Sequence, residues 1–174
     1  MTKSAASALM EKGGAGGLSA LCIDLGTSWG WALLVNGRVT ESGEEKLPPS
    51  SEPLGVRWIY FDRWLLEQIT RARPSAVIFE VPFGRYVNVL KIQFGQATLI
   101  EILCENLRIE YTGVRPQEIK KFATGKGTAT KGMMNQALFE RWHEFGMAAP
   151  HADVGENEVD ALWLALYAAS ELAV

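Results

Sequence analysis

Three acids stand where they could do chemistry together. Asp24 closes the apolar run Leu21-Cys22-Ile23 just before Leu25-Gly26-Thr27-Ser28, Glu80 closes the run SAVIFE, and Asp160 lies early in the C-terminal stretch NEVDALWLA. A carboxylate near the end of a buried strand is costly unless it is paired, hydrogen-bonded or bound to a metal. Three converging carboxylates repel one another, and the arrangement makes sense mainly with divalent cations between them. Carboxylate oxygens and water are the ligand set of Mg²⁺ or Mn²⁺ rather than of zinc. Two such ions would activate a water and stabilise a leaving oxygen in phosphodiester hydrolysis. Taken singly, each acid has a plainer explanation: Asp24 as a turn cap, Glu80 as a partner of Arg85, Asp160 as a first-turn acid favoured by the helix dipole. The surrounding charge tips the balance.

The formal net charge is −3, which by itself argues against a nucleic-acid partner, but the charge is unevenly spread. Val81 to Ile100 contains no acid and two cations, Arg85 and Lys91, and Ile119 to Phe139 contains no acid and four lysines, Lys120, Lys121, Lys126 and Lys131. Positive windows in a mildly acidic chain point to a polyanion-binding face. The second window holds the Gly-rich loop TGKGTATK.

These residues need elements to carry them. Leu18–Leu25, Trp29–Asn36 and Arg38–Lys46 read as three strands in a meander, with Asn36-Gly37 as the hairpin turn. A helix is expected from about Pro53 to Arg71, its core stripe formed by Trp58, Phe61, Leu65 and Ile69. Ser75–Glu80 reads as a central strand covered on both faces. Asn88 is expected to cap a helix reaching Leu107, followed by a strand at Arg108–Thr112. Pro116 opens a short helix to Phe122, and two more helices are expected at about 132–145 and 157–172. Asn157 and Glu156 lie three and four residues before Asp160 on one helical face, while Glu158 points away. Asn157 could also be the N-cap of that helix.

The whole is one α/β domain with a mixed five-stranded sheet, three antiparallel strands and then parallel ones, flanked by helices. At 174 residues and 48% apolar composition the chain can bury a sizeable core. Residues 1–17 read as a flexible leader without the apolar core of a signal peptide, and residues 18–174 as the domain. No run approaches the roughly 18 apolar residues of a membrane span. Cys22 and Cys104 have no metal-type spacing and are expected to be buried thiols in a reducing, intracellular compartment.

The motifs resemble those of the RuvC-type Holliday junction resolvases, a family of the RNase H-like superfamily. The resemblance runs from Asp24 to the last helix and rests on the Asp24 strand, VIFEVPF, NVLKIQFGQA, and PQEIKKFATGKGTATK with NEVDALWLA. It implies an RNase H-like fold and an endonuclease that resolves four-way DNA junctions by paired symmetric nicks. It also implies metal-binding acids at Asp24, Glu80 and Asp160, with Mg²⁺ or Mn²⁺ as cofactor, two ions per site. The family's fourth ligand position, usually Asp or His, falls on Asn157; an amide oxygen is a poorer ligand, and Glu156 or Glu158 is the alternative. By the same resemblance Lys131 would stabilise charge on the scissile phosphate, Lys120 would bind a junction phosphate, and Phe83 would stack on unpaired bases. Arg85, Lys121 and Lys126 complete the expected DNA-binding set. The family acts as a homodimer, here through helix 88–107, in the cytoplasm of a bacterial cell or phage-infected host; the divergence looks phage-like.

Other functions stay open at this point. Asp-x-Gly-Thr also looks like the first phosphate motif of sugar kinase, chaperone and actin-type ATPases, although a second domain and a second Gly-rich motif are missing from this sequence. A flap or fork nuclease, or a junction-binding protein that does not cut, fits the same residues.

Overall fold

A computed structural model of the chain describes residues 19–145, 147–151 and 153–172. The expected leader, residues 1–17, lies outside the described residues. Three strands come first, β1 (Ser19–Asp24), β2 (Ser28–Val35) and β3 (Arg38–Lys46), joined through Asn36 and Gly37, both at positive φ. Then follow α1 (Leu54–Ala72), β4 (Ala76–Glu80), α2 (Val87–Leu107), β5 (Glu110–Val114), α3 (Pro116–Thr124), α4 (Lys131–Arg141), a 3₁₀ turn (Trp142–Phe145) and α5 (Glu156–Leu172). The sheet order is β3-β2-β1-β4-β5, with β1, β2 and β3 antiparallel and β4 and β5 parallel to β1. This is the expected mixed sheet, and β1 and β4 are neighbours.

Alternation along the strands divides the core. Leu21, Ile23, Trp29, Val77 and Phe79 face α1 and α2, where Phe61, Trp64, Leu65, Ile92 and Ile100 pack on them. Ala20, Cys22, Ala32, Leu34 and Ile78 face the opposite side, covered by Leu162, Trp163 and Leu166 of α5 with Ile119 and Leu138. The period of two then puts Asp24, Gly30 and Glu80 on the α5 side. That side is lined with small residues, and α5 answers with buried Ala161, Ala165 and Ala168. Small side chains on both surfaces bring the helix backbone close to the sheet. Cys22 and Cys104 are both buried and free, as expected.

Several boundaries differ from the sequence-based expectation. Strand β5 starts two residues late because Arg108 adopts a left-handed conformation, φ 57°, and its N–H still bonds to the end of α2. Asn88 does not cap α2; Tyr86 is the cap position and makes no side-chain bond. The expected 132–145 helix is α4 plus the 3₁₀ turn, with Thr130 accepting the Met133 N–H as its cap. Trp64, outside the expected stripe of α1, is buried, whereas Trp58 is only partly so.

Candidate active site

Asp24, Glu80, Asn157 and Asp160 line one cleft of about 290 Å³, together with Lys120, Lys131, Gln93 and the turn Leu25–Ser28. Asp24 and Glu80 arrive at the same edge because parallel β1 and β4 end side by side, Ile23 opposite Phe79. The first turn of α5 closes the cleft from the sheet face. Gly30 makes that approach possible: it is paired with Asp24 across β1 and β2, and a Cβ there would overlap the Asn157 carbonyl.

Electrostatics in the cleft follow from burial and like charge. Asp24 is held well above the usual carboxylate range, first by desolvation and then by the charges of Glu80 and Asp160, with Lys131 only partly offsetting them. Glu80 is pushed up to about 7 by desolvation and by Asp160, against Lys120 and Lys131. Asp160 is also raised by burial, and Lys131 pulls it back. Lys131 is the cation that engages the first turn of α5. Its Nζ lies 3.5 Å from Asp160 Oδ2, 3.8 Å from Glu156 Oε2 and 3.4 Å from Asn157 Oδ1, to which it donates. Among the described residues no group of three or more His, Cys, Asp or Glu stands in a geometry that would hold an ion as it is. The donor chemistry nonetheless suits a hard cation: carboxylates raised by burial and by neighbouring negative charge, and an amide oxygen aimed at a positive charge.

The other expected residues separate into groups. Lys120 is half-buried and lines the cleft, whereas Lys121 and Lys126 are exposed on α3 and the following loop and do not line it. Phe83 is 64% exposed, so it is not a core aromatic under the loop, and Arg85 is exposed beside it. Tyr86, three residues further on and 78% exposed, is a second open aromatic of this segment that the sequence reading does not single out. Glu156 faces Lys131, but Glu158 turns to β3 and accepts a hydrogen bond from Ser42 Oγ at 2.6 Å. No described contact pairs Arg85 with Glu80. Asn157 is inside α5, and the cap position falls on Gly155, whose carbonyl accepts the Val159 N–H.

Two glutamines from α2 also belong to the site. Gln93 Nε2 donates to the Leu25 carbonyl and Gln96 Nε2 to the Gly26 carbonyl, each at 3.0 Å, fixing the turn that follows Asp24. Gln96 is fully buried, and it is the Gln of the GQA segment. A larger hollow of about 370 Å³ lies between β3 and residues 147–151 with Val154, but its acids Glu41 and Glu158 are engaged by Arg71 and Ser42.

The fold and the cleft define an RNase H-like α/β protein with a carboxylate-lined site at the end of its central strands. Comparison with known proteins narrows this. No family model matches the chain. Its sequence is similar to the crossover junction endodeoxyribonuclease RuvC of Dehalococcoides mccartyi, 29% identical over 128 residues that span 68% of this chain and 74% of the relative. Its fold matches the Thermus thermophilus RuvC structure with a TM-score of 0.67 at 22% identity, covering 86% of this chain and 92% of that one. The same enzyme in complex with a Holliday junction substrate gives a TM-score of 0.70 at 21% identity, with the same coverage. The yeast mitochondrial Holliday junction resolvase gives 0.64 at 10% identity, covering 97% of this chain and 87% of that one. The resemblance read from the motifs is borne out: in sequence and in fold the chain is similar to RuvC-type resolvases.

Proposed function

We propose that the chain is a divalent-metal-dependent, structure-selective endonuclease that nicks four-way DNA junctions. The observation that carries this reading is the convergence of Asp24, Glu80 and Asp160 with Lys131 in one cleft, on a RuvC-like fold. Asp24, Glu80, Asp160 and the Asn157 amide oxygen would hold Mg²⁺ or Mn²⁺, two ions per site. Ions bound there would supply the chemistry of water activation and leaving-oxygen stabilisation.

The chain's own residues do the rest. Lys131 sits beside Asp160 at the mouth of the cleft, where its ammonium neutralises charge developing on the scissile phosphate. Lys120 holds a phosphate of the same strand. Gln93 and Gln96 keep the Leu25–Gly26 turn fixed, so that Asp24 presents the same face throughout. Phe83, with Arg85 next to it, offers a ring to unstacked bases at the crossover; such stacking is worth about 1–3 kcal/mol per base. Lys121 and Lys126 lie along the approach rather than in the cleft and contribute long-range attraction. Glu156 is better placed than Glu158 to supplement Asn157, because Glu158 is tied to Ser42.

A second copy of the chain is the proposed partner, joined through helix 88–107. Phe94 and Ile102 are large exposed apolar residues on that helix, more than a solvated face needs. Two-fold symmetry would then set two clefts on two like strands of a junction. Among the described residues no helix is long and apolar enough to cross a membrane. Cytoplasmic DNA is the proposed setting.

Asp24→Asn tests the reading. The variant is expected to bind a four-way junction as wild type does and to cut it at least 100-fold more slowly. Full cleavage by the variant would contradict the assignment. Failure of wild type to cut while it still binds the junction would favour a binding-only protein, the reading that a neutral Asn157 keeps open.

A further inference from the structure

Strand β3 does not line the cleft, yet it reaches the helix that does. Asp24, Gly30 and Glu44 form one row across β1, β2 and β3, because Asp24 pairs with Gly30 and Gly30 with Glu44. From this row the Glu44 carboxylate extends to the start of α5, where Oε1 accepts the N–H of Asn157 at 2.8 Å and the N–H of Glu158 at 3.0 Å. First-turn amides have no acceptor inside their own helix. The usual remedy is a Ser, Thr, Asp or Asn at the N-cap, but here that position is Gly155. A Cβ on Gly155 would overlap the Glu44 carboxylate, so the missing side chain is what admits the substitute cap. Ser42, two residues earlier on the same face of β3, holds the Glu158 side chain. The negative charge also suits the positive end of the helix dipole.

The residue so capped, Asn157, sits three before Asp160 on the cleft-facing side of the helix. We infer that Glu44 is a positioning residue: its carboxylate fixes the first turn of α5 and so sets Asn157 and Asp160 against Asp24 and Glu80. Glu44 touches neither DNA nor ion in this scheme. It acts mainly through the backbone of α5, and its charge adds a smaller push against ionisation of Asp24. The inference rests on the metal-dependent reading given above.

Reach and charge can be separated by substitution. Glu44→Gln keeps an oxygen acceptor at the same reach without the charge; Glu44→Asp keeps the charge but withdraws the acceptor by one methylene. Glu44→Ala removes both. Mn²⁺ binding, read by electron paramagnetic resonance of the free ion in the absence of DNA, is expected to weaken at least tenfold in Glu44→Ala and Glu44→Asp. It should stay within about threefold of wild type in Glu44→Gln. Hydrogen exchange at the Asn157 and Glu158 amides should accelerate at least tenfold in the first two variants while amides of β1 and β4 are unchanged. Should Glu44→Ala fail to fold, the contrast between Gln and Asp still decides. Wild-type Mn²⁺ affinity across all the variants overturns the inference alone, and so does a wild-type-like Asp with an impaired Gln, which would make charge rather than capping the cause. A wild-type protein that takes up no Mn²⁺ would instead sink the metal reading beneath it.

Discussion

Asp24 is a carboxylate kept where ionisation is expensive. Desolvation and the negative charges of Glu80 and Asp160 all oppose its charged form, and the Lys131 ammonium offsets only part of this. Raised carboxyl pKa values in the folded state carry a definite sign. Below the ordinary values, 4.5 for Glu80, the groups are protonated in folded and unfolded chains alike and cost nothing. As pH rises through about 7 for Glu80, and through the raised value of Asp24, the folded cleft must take up charge it disfavours and stability is lost. We therefore expect the metal-free protein to be less stable at pH 8 than at pH 5 by on the order of 1–3 kcal/mol, as read by urea denaturation in EDTA. Asp24→Asn should flatten that dependence and raise the melting temperature of the metal-free protein. Added Mn²⁺ should stabilise wild type at pH 8 and have little effect on the variant. A stability curve that rises from pH 5 to 8 would contradict this account of the cleft. At the same scale, Lys131→Ala should slow cleavage roughly 10²–10³-fold with little change in junction affinity, checked by single-turnover kinetics beside a gel-shift titration.

Helix α5 and the strands beneath it turn separate acids into a site. The close approach depends on Gly30, so Gly30→Ala should force α5 off the sheet, cost about 1–3 kcal/mol in thermal or urea unfolding, and abolish cleavage. Gln96→Leu, at a fully buried position, strands the Gly26 carbonyl and should cost about 1–3 kcal/mol in the same measurement. How much of this was legible in the sequence depends on how local each signal is. Asp24 and Glu80 each end a short apolar run, and strand alternation alone sends both to one face once β1 and β4 are neighbours. Asp160, Asn157 and Glu156 were related correctly by helical spacing. The Glu44 cap had no local signature, because donor and acceptor are 113 residues apart and the cap position itself is a glycine. Gln93 was unmarked for a similar reason: its partner is the backbone carbonyl of Leu25, which any residue supplies. The start of β5 was misplaced because Arg108 takes a left-handed conformation usually left to Gly or Asn.

At the scale of the molecule, the sheet separates two tasks. One face, under α1 and α2, carries the aromatic core of Trp29, Phe61 and Trp64, and α2 leaves Phe94 and Ile102 exposed. The other face carries the cleft. Gln93 and Gln96 connect the two, since they leave the proposed dimer helix and hold the turn beside Asp24. The most direct test is a comparison of substrates. Wild-type protein in Mn²⁺ is offered a labelled mobile four-way junction, a fork, a flap and a linear duplex of the same sequence, and initial cleavage rates are measured for each. The junction is expected to be cut at least tenfold faster than any other substrate, by nicks at symmetric positions on two like strands. Equal rates on all four substrates would contradict it.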